Sequence, residues 1–382
     1  MRVLFATPAF WPAVAFGGPI VMARELTEGL RERGHEVSVV TTGLRAIGEP
    51  PAERRRTRRD VVAGVPVTYL ATPARYRWMG ITPSLPLMLR GLPRPDVVHV
   101  FGFRDVVTTG TALWARATRT PYVFEPLGMF EPRVRKVRTK RALDATLYRS
   151  VWSGAAVVVA TSEHERARIA AAGVDPERIE IRGNGFPDPA AVPEAGGLRA
   201  RLGLDGAPIV LYVGRLARGK GIEFLLDVAA ARPDVHVVLA GPDDGHGVAD
   251  DIAAAARNPR TAGRVHALGE VSKPLALYRD ADVFVLASSG ESFGMVAAEA
   301  AAAGTAIVVS DRCGVAEFLG DGALVVPYER RAVVDGVVRL LENRELRAQL
   351  GARALDAARR HSWAAMVDRQ VELYELATTR RV

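Results

Sequence analysis

Two carboxylates, Glu291 and Glu299, stand eight positions apart where a polar loop gives way to an alanine-rich run. The stretch reads Ser289-Gly290-Glu291-Ser292-Phe293-Gly294-Met295-Val296 and continues through Glu299 to Gly304. Gly and small polar residues, then Ala, then a Gly stop, predict a loop feeding a helix. A helix N-terminus offers unpaired N–H groups and a partial positive charge, which suits phosphate. A carboxylate does not grip phosphate, but it accepts hydrogen bonds from sugar hydroxyls. A diphosphate flanked by hydroxylated rings would use both features, and a nucleotide-sugar is such a ligand. Spacing alone is weak support, because two Glu on an exposed loop and helix face would look the same.

A second constellation raises the weight of the first. Tyr212-Val213-Gly214-Arg215-Leu216-Ala217-Arg218-Gly219-Lys220-Gly221 reads as a strand ending at Gly214, a turn, and a helix starting near Ile222. Arg215 can grip two phosphate oxygens at once and Lys220 adds a point charge. Lys220 stands out in a chain that writes nearly every cation as Arg; the other lysines are Lys136, Lys140 and Lys273. Gly17-Gly18, just ahead of a helix over Pro19 to Arg33, would let backbone N–H groups approach an anion, although a plain turn fits equally well. His99 closes the buried run Asp96-Val97-Val98-His99-Val100, and half-buried structural and ligand roles both remain open for it. Asp280-Ala281-Asp282 invites a metal reading, but its place at a helix end before a strand favours capping. The His residues show no ligand spacing, and no metal is expected.

The elements that must position these residues follow from the apolar pattern. Residues 283–287 and 306–310 read as buried strands on either side of the Glu291–Gly304 unit. Strand-like runs alternate with helical stretches through most of the 382 residues, and the apolar fraction is 48%. This is the pattern of α/β architecture with parallel sheets. A turn to Pro, Gly, Asp and Ala after Gly183-Asn184-Gly185 marks a boundary. The expected division is 1–187 and 188–359, with a last helix over about 360–382 that could pack on either domain. Residues 43–60 read as an exposed Arg-rich loop, and the Pro-rich 73–95 as irregular structure or short helices. A basic helix is expected over 134–153.

The net charge is +8, with clusters at Arg54–Arg59 and Arg133–Arg141. Nucleic acid, an anionic membrane surface or plain solvent could face them. Neither cluster is interleaved in sequence with aromatics, which argues against a single-strand binding face. The single Cys, Cys313, allows no disulfide within the chain and fits a reducing compartment. No apolar run reaches membrane-span length, and Met1–Ala6 reads as a first buried strand rather than a signal peptide.

Taken together, Gly214-Arg215-Leu216 with Lys220-Gly221, and Glu291-Ser292-Phe293-Gly294 with Glu299, resemble the donor-site motifs of family 4 glycosyltransferases. Gly17-Gly18 with its helix, Arg33-Gly34-His35-Glu36-Val37, Asp96-Val97-Val98-His99, Asn184-Gly185 and Glu317 after Gly314 extend the likeness over nearly the whole chain. The resemblance implies the GT-B fold, two Rossmann-like domains facing across a cleft, with the C-terminal helix over about 360–382 crossing back to the N-terminal domain. It implies a retaining, metal-independent hexosyltransferase that uses no cofactor, with UDP-hexose as first donor and GDP-mannose as second. Arg215, Lys220 and Glu291 would be catalytic: the cations neutralise the departing diphosphate and Glu291 holds the donor sugar. Ser292, Phe293, Gly294, Met295 and Val296 would bind through the loop and helix start, and Glu299 would hold the ribose. Gly17 and Gly18 would close on the diphosphate, and His99 would complete the substrate-binding set. The acceptor would be a sugar, lipid-linked or small-molecule hydroxyl, met by aromatics such as Phe10, Trp11, Phe16, Tyr76 and Trp78. A cytoplasmic enzyme follows, with peripheral contact to the inner membrane face through 133–141 and no nucleic acid. Relatives often carry His in the loop after the fifth strand, where this chain has Leu127, so His99 or Glu125 would have to compensate. The alternatives are a nucleotide-sugar epimerase of the same architecture and a nucleic-acid-binding protein using the Arg clusters.

Overall fold

Runs such as Val97-Val98-His99-Val100-Phe101 and Ile209-Val210-Leu211-Tyr212-Val213 are buried along their whole length. Side chains buried on both faces are what a parallel sheet covered by helices requires. The structure, a computed structural model, describes residues 1–46, 48–130, 148–195, 197–204, 206–271 and 273–380. The expected helix at 134–153 and the basic cluster at 133–141 fall largely outside these residues; Arg149–Ser153 is helical.

The chain divides into two units: Met1–Gly185 together with Trp363–Val382, and Phe186–Ser362. The strands of unit 1 are β1 Arg2–Ala6, β2 Glu36–Thr42, β3 Arg58–Val62, β4 Val65–Leu70, β5 Ala74–Tyr76, β6 Met79–Ile81, β7 Val97–Phe101, β8 Tyr122–Glu125, β9 Val157–Ala160 and β10 Ile179–Ile181. Its main sheet runs β10-β9-β8-β7-β1-β2-β4-β3, and only β3 is antiparallel to its neighbour. From β1 the chain builds outward to β2 and β4, then returns to place β7 on the other side of β1. That reversal opens a crevice at the carboxyl ends of β1 and β7, the place where open α/β sheets bind ligands.

Helix Gly18–Glu32 starts with Pro in its first turn and buries Ile20, Met22, Ala23, Leu26 and Leu30. Helix Trp363–Thr379 belongs to unit 1 and lies against it. Gly29 permits the approach, since a Cβ there would stand 2.7 Å from a Val367 methyl. Arg33 fixes the register, pairing with Asp368 at 2.5 Å and donating to the Ala364 carbonyl at 2.8 Å.

Two stretches differ from the sequence expectation. Residues 58–62 form strand β3, joined to β4 by the left-handed pair Ala63-Gly64. The loop before it is pinned by buried Glu53, whose carboxylate takes Arg58 at 2.8 Å and Arg45 at 3.3 Å. Residues 74–81 form the β5–β6 ribbon, followed by helix Leu85–Arg90.

Unit 2 holds β11 Ile209–Val213, β12 His236–Ala240, β13 Val265–Gly269, β14 Val283–Leu286, β15 Ala306–Ser310 and β16 Leu324–Val326. They form one parallel sheet in the order β13-β12-β11-β14-β15-β16. The strand order reverses between β11 and β14, so the loops leaving these two strands border unit 2's own crevice.

Candidate functional site

Both chemistry-bearing stretches of unit 2 are the loops at that reversal. The first leaves β11 at Gly214 and reaches Lys220; the second leaves β14 and reaches Gly294. They are stitched together, with the Ser289 N–H donating to the Gly219 carbonyl at 2.7 Å. Gly221, with φ of 71°, brings the loops this close, because a Cβ there would lie 2.2 Å from the Ala287 carbonyl oxygen. Across the seam the Lys220 ammonium pairs with the Glu291 carboxylate, and both side chains keep a water-exposed share.

Glu291 is held by its own backbone as well. Its N–H donates to the Arg312 carbonyl at 3.0 Å, and its carbonyl accepts from the Gly314 N–H at 3.1 Å. Val315 N–H reaches the Phe293 carbonyl at 2.8 Å, so the segment 312–315 braces the whole loop. Gly294, left-handed at φ 112°, caps helix Met295–Ala302. The first-turn N–H groups of Met295 and Val296 have no acceptor within the helix and are available to an anion. Phe293 acts through its backbone only, since its ring is buried against Phe186 and Phe318. Ser292 is partly exposed at the same turn.

Arg215 is exposed and forms no ion pair among the described residues; its carbonyl is fixed by the Tyr212 hydroxyl at 2.8 Å. Glu299 lies one turn beyond Met295 on the same helix face. Tyr278 donates its hydroxyl to the Glu299 carboxylate at 2.7 Å. Desolvation pushes the Glu299 carboxyl up to about 7 in spite of that bond. Tyr278, 21 residues upstream, and the bracing segment 312–315 were not foreseen; no spacing in the sequence links them to the carboxylates they serve. Asp280 accepts from the Leu198 N–H at 3.0 Å, and Asp282 accepts from the Ile209 N–H and from Arg199. Their oxygens tie helix to strand.

In unit 1, Gly17 ends the connection from β1 and Gly18 begins the first helix, beside that unit's reversal point. Gly17 has φ 79°, ψ −150°, a conformation that needs glycine for the backbone alone, as a Cβ there would meet nothing within 4 Å. Of the aromatics expected near an acceptor, Phe10 is core, Trp11 lies 4.7 Å beneath the Arg24 guanidinium, and Tyr76 is exposed.

Comparison with known proteins follows the same two units. Residues 17–185 match the model described as "Glycosyl transferase 4-like domain", and residues 198–356 match "Glycosyl transferases group 1". The chain belongs to the family 4 glycosyltransferases. A D-inositol 3-phosphate glycosyltransferase of Xylanimonas cellulosilytica is 29% identical over 96% of this chain and 93% of its own length. A phosphatidyl-myo-inositol mannosyltransferase of Mycobacterium tuberculosis is 36% identical over 45% of this chain and 49% of its own. Among solved structures, sucrose-phosphate synthase of Thermosynechococcus elongatus superposes with a TM-score of 0.76 at 21% identity, covering 98% of each chain. HepE of Anabaena, solved with UDP and glucose, gives 0.77 at 19% identity over 97% of this chain and 98% of its own. The fold is GT-B and the chain is a glycosyltransferase.

Within this family 4 enzyme one expected ligand residue needs correction. His99 is fully buried, with Nδ1 2.7 Å from the Tyr374 hydroxyl and Nε2 3.2 Å from the Glu125 carboxylate. Desolvation lowers its pKa, even with Glu125 alongside. Glu125 is equally buried and takes both ends of the Arg182 guanidinium at 2.8 Å. Burial would raise the Glu125 carboxyl, but Arg182 holds it below its ordinary value. Both ring nitrogens of His99 and both oxygens of Glu125 are thus engaged inside unit 1. Leu127 itself is left-handed, at φ 54°, and packs against the core. The loop it occupies is anchored through Gly128 N–H to buried Glu165 at 2.7 Å.

Proposed function

We propose that this glycosyltransferase moves a hexose from a nucleotide diphosphate sugar to an acceptor hydroxyl, with retention of anomeric configuration and without a metal ion. The observation that carries the reading is the Lys220–Glu291 pair at the strand-order reversal of unit 2. An arriving donor exchanges that pair for two better-matched ones. Lys220 and Arg215 turn to the diphosphate, and Glu291 is released to accept hydrogen bonds from sugar hydroxyls. The first-turn N–H groups after Gly294 take further phosphate or sugar oxygens, and Glu299 takes the ribose hydroxyls. Lys220, Arg215 and the helix N-terminus then stabilise the charge that grows on the diphosphate as the glycosidic bond breaks, which lowers the barrier. Gly18 offers its backbone N–H at the ligand end of unit 1, while the Gly17 N–H donates to the Val14 carbonyl at 2.8 Å.

UDP-hexose is the first donor to test and GDP-mannose the second; the HepE neighbour was solved with UDP and UDP-glucose. Sugar, lipid-linked and small-molecule acceptors all remain in view. Relatives named for D-inositol 3-phosphate and phosphatidyl-myo-inositol put phosphorylated polyols first among them. A lone Cys that can form no disulfide within the chain fits action in the reducing cytoplasm.

The test is a thermal-shift panel of UDP, GDP, ADP and dTDP, free and sugar-linked, on wild type and Lys220→Ala. A ligand that binds only the folded state raises the melting temperature. One nucleotide family should stabilise the wild type, and Lys220→Ala should abolish the effect. Absence of stabilisation at millimolar ligand would sink the reading. Conversion of the donor to an isomer without acceptor would replace transfer by epimerisation. The anomeric proton signal of the product then reports retention or inversion.

A further inference from the structure

The Arg cluster at 54–59 is not used by the proposed reaction, and its surroundings set it apart from an ordinary solvated loop. Arg54, Arg55 and Arg56 are exposed, and their loop is fastened at both ends. Before them, the Glu53 carbonyl accepts from Thr72 N–H at 2.6 Å; after them, the Thr57 hydroxyl accepts from Ala71 N–H at 3.1 Å. The loop therefore bulges from residues 71–72, immediately ahead of the β5–β6 ribbon. Arg75 ties the ribbon back, donating to the Gly48 carbonyl at 2.6 Å. The ribbon tip is the two-residue turn Arg77-Trp78, with Arg77 left-handed at φ 58°.

Charge here is unbalanced. Glu53 and Asp60 are taken up by Arg45 and Arg58. Arg54, Arg55, Arg56, Arg59 and Arg77 form no ion pair among the described residues. Edge strands carry charge to block pairing with other sheets, which accounts for Arg59 on β3. It does not account for three arginines ahead of the strand. Large apolar side chains also face water here: Tyr76 on the neighbouring ribbon is 56% exposed and, farther along β3 opposite Pro66, Val61 is 63% exposed. An isolated apolar residue needs no explanation, but cations and apolar side chains on one protruding edge fit a specific chemistry. Phosphate headgroups attract the guanidinium groups, and the interface beneath them accepts aromatic and aliphatic side chains.

We propose that loop 54–57, strand β3 and the ribbon tip at 76–78 form a docking face for an anionic lipid bilayer. The edge carries an exposed aliphatic residue, Val61, and an exposed aromatic one, Tyr76. A single nucleic-acid strand would call instead for a groove lined with several stacking rings. The face borders the carboxyl ends of β2 and β4, the same edge of the sheet that carries Gly17 and Gly18.

Flotation of the full chain with phosphatidylcholine vesicles, and with phosphatidylcholine–phosphatidylglycerol vesicles, tests this. Binding is expected only to the anionic vesicles and should fall as salt rises. The combined substitution Arg54→Ser, Arg55→Ser, Arg56→Ser should weaken it about a hundredfold. Val61→Ser should weaken it a few-fold at a salt concentration where the wild type still binds. No anionic-vesicle binding by the wild type overturns the proposal. Unchanged binding by the triple variant does so too, since the contact would then lie elsewhere in the chain. Salt-dependent binding of single-stranded RNA without vesicle binding would assign the face to nucleic acid and equally overturn it. Nucleotide stabilisation of the triple variant, read in parallel, separates failure here from failure of the transferase reading.

Discussion

Glu299 is the residue whose ionisation the proposed site can reveal. Its carboxyl is pushed up to about 7, so near neutral pH a good share of it is protonated. Ribose hydroxyls donate best to the ionised form, so nucleotide binding should release a proton. Affinity is therefore expected to rise from pH 6 to 8 and level off above the carboxyl's pKa, and Glu299→Gln should flatten the profile. Calorimetric titration in buffers of different ionisation enthalpy measures the released proton directly. Stability without ligand runs the opposite way. The folded state holds this proton between about pH 4.5 and 7, where the unfolded chain has lost it, so this group's contribution falls as pH rises through that window. At this scale the sequence was informative where chemistry dictates residue type. Lys220 and Glu291, which the structure pairs, stood out in the sequence because a diphosphate sugar would call for cations and carboxylates at helix starts. His99 was misread, and Tyr278 missed, because their partners come from elements far away in the sequence. A histidine in the middle of a buried strand carries no mark of the helix that will cover it.

At the scale of elements, the site depends on two loops lying closer than side chains allow. Gly221→Ala places a methyl 2.2 Å from the Ala287 carbonyl oxygen, in a left-handed conformation as well. We expect that variant to lose about 2–4 kcal/mol of stability and all detectable nucleotide binding, by the joint action of backbone strain and clash. Denaturant unfolding monitored beside thermal shift checks both, and Gly263→Ala, left-handed but with nothing near its Cβ, isolates the contribution of φ. Interior strands were legible in the sequence because burial on both faces leaves continuous Val, Ile, Leu and Phe. Strand β3 was not, because an edge strand written Arg-Arg-Asp-Val-Val shows neither alternation nor an apolar run. The fastened path of 48–57 was hidden for a similar reason. It depends on Glu53 being buried, and a carboxylate in an arginine-rich segment reads as solvent-exposed.

At the scale of the molecule, the doubly wound class could be read from the alternation of strands and helices, whereas the return of the last helix to unit 1 followed from the family resemblance and not from the helix's own pattern. Its apolar residues would cover either unit; Gly29, Arg33 and the Arg182–Glu125–His99–Tyr374 network, drawn from distant segments, help make it specific to unit 1. Removing residues 363–382 would uncover the sites of Met366, Val367, Leu373 and Tyr374, all buried against unit 1. At roughly 1.5–3 kcal/mol for each large apolar side chain, the loss is comparable to a typical domain's whole stability of about 5–15 kcal/mol. The truncated chain should therefore lose the calorimetric transition of unit 1 while keeping one transition that nucleotide still raises. A truncated chain that melts like the full one would refute the helix's structural role. The same arrangement has a consequence in time. A ribosome releases β1 well before the helix that covers its neighbours, because the residues between them include the whole of unit 2. At about 5–20 residues per second, the wait is on the order of ten seconds or more. The half of the enzyme that begins to emerge first is thus the last to be completed, and until then its uncovered apolar face is a natural client for holdase chaperones.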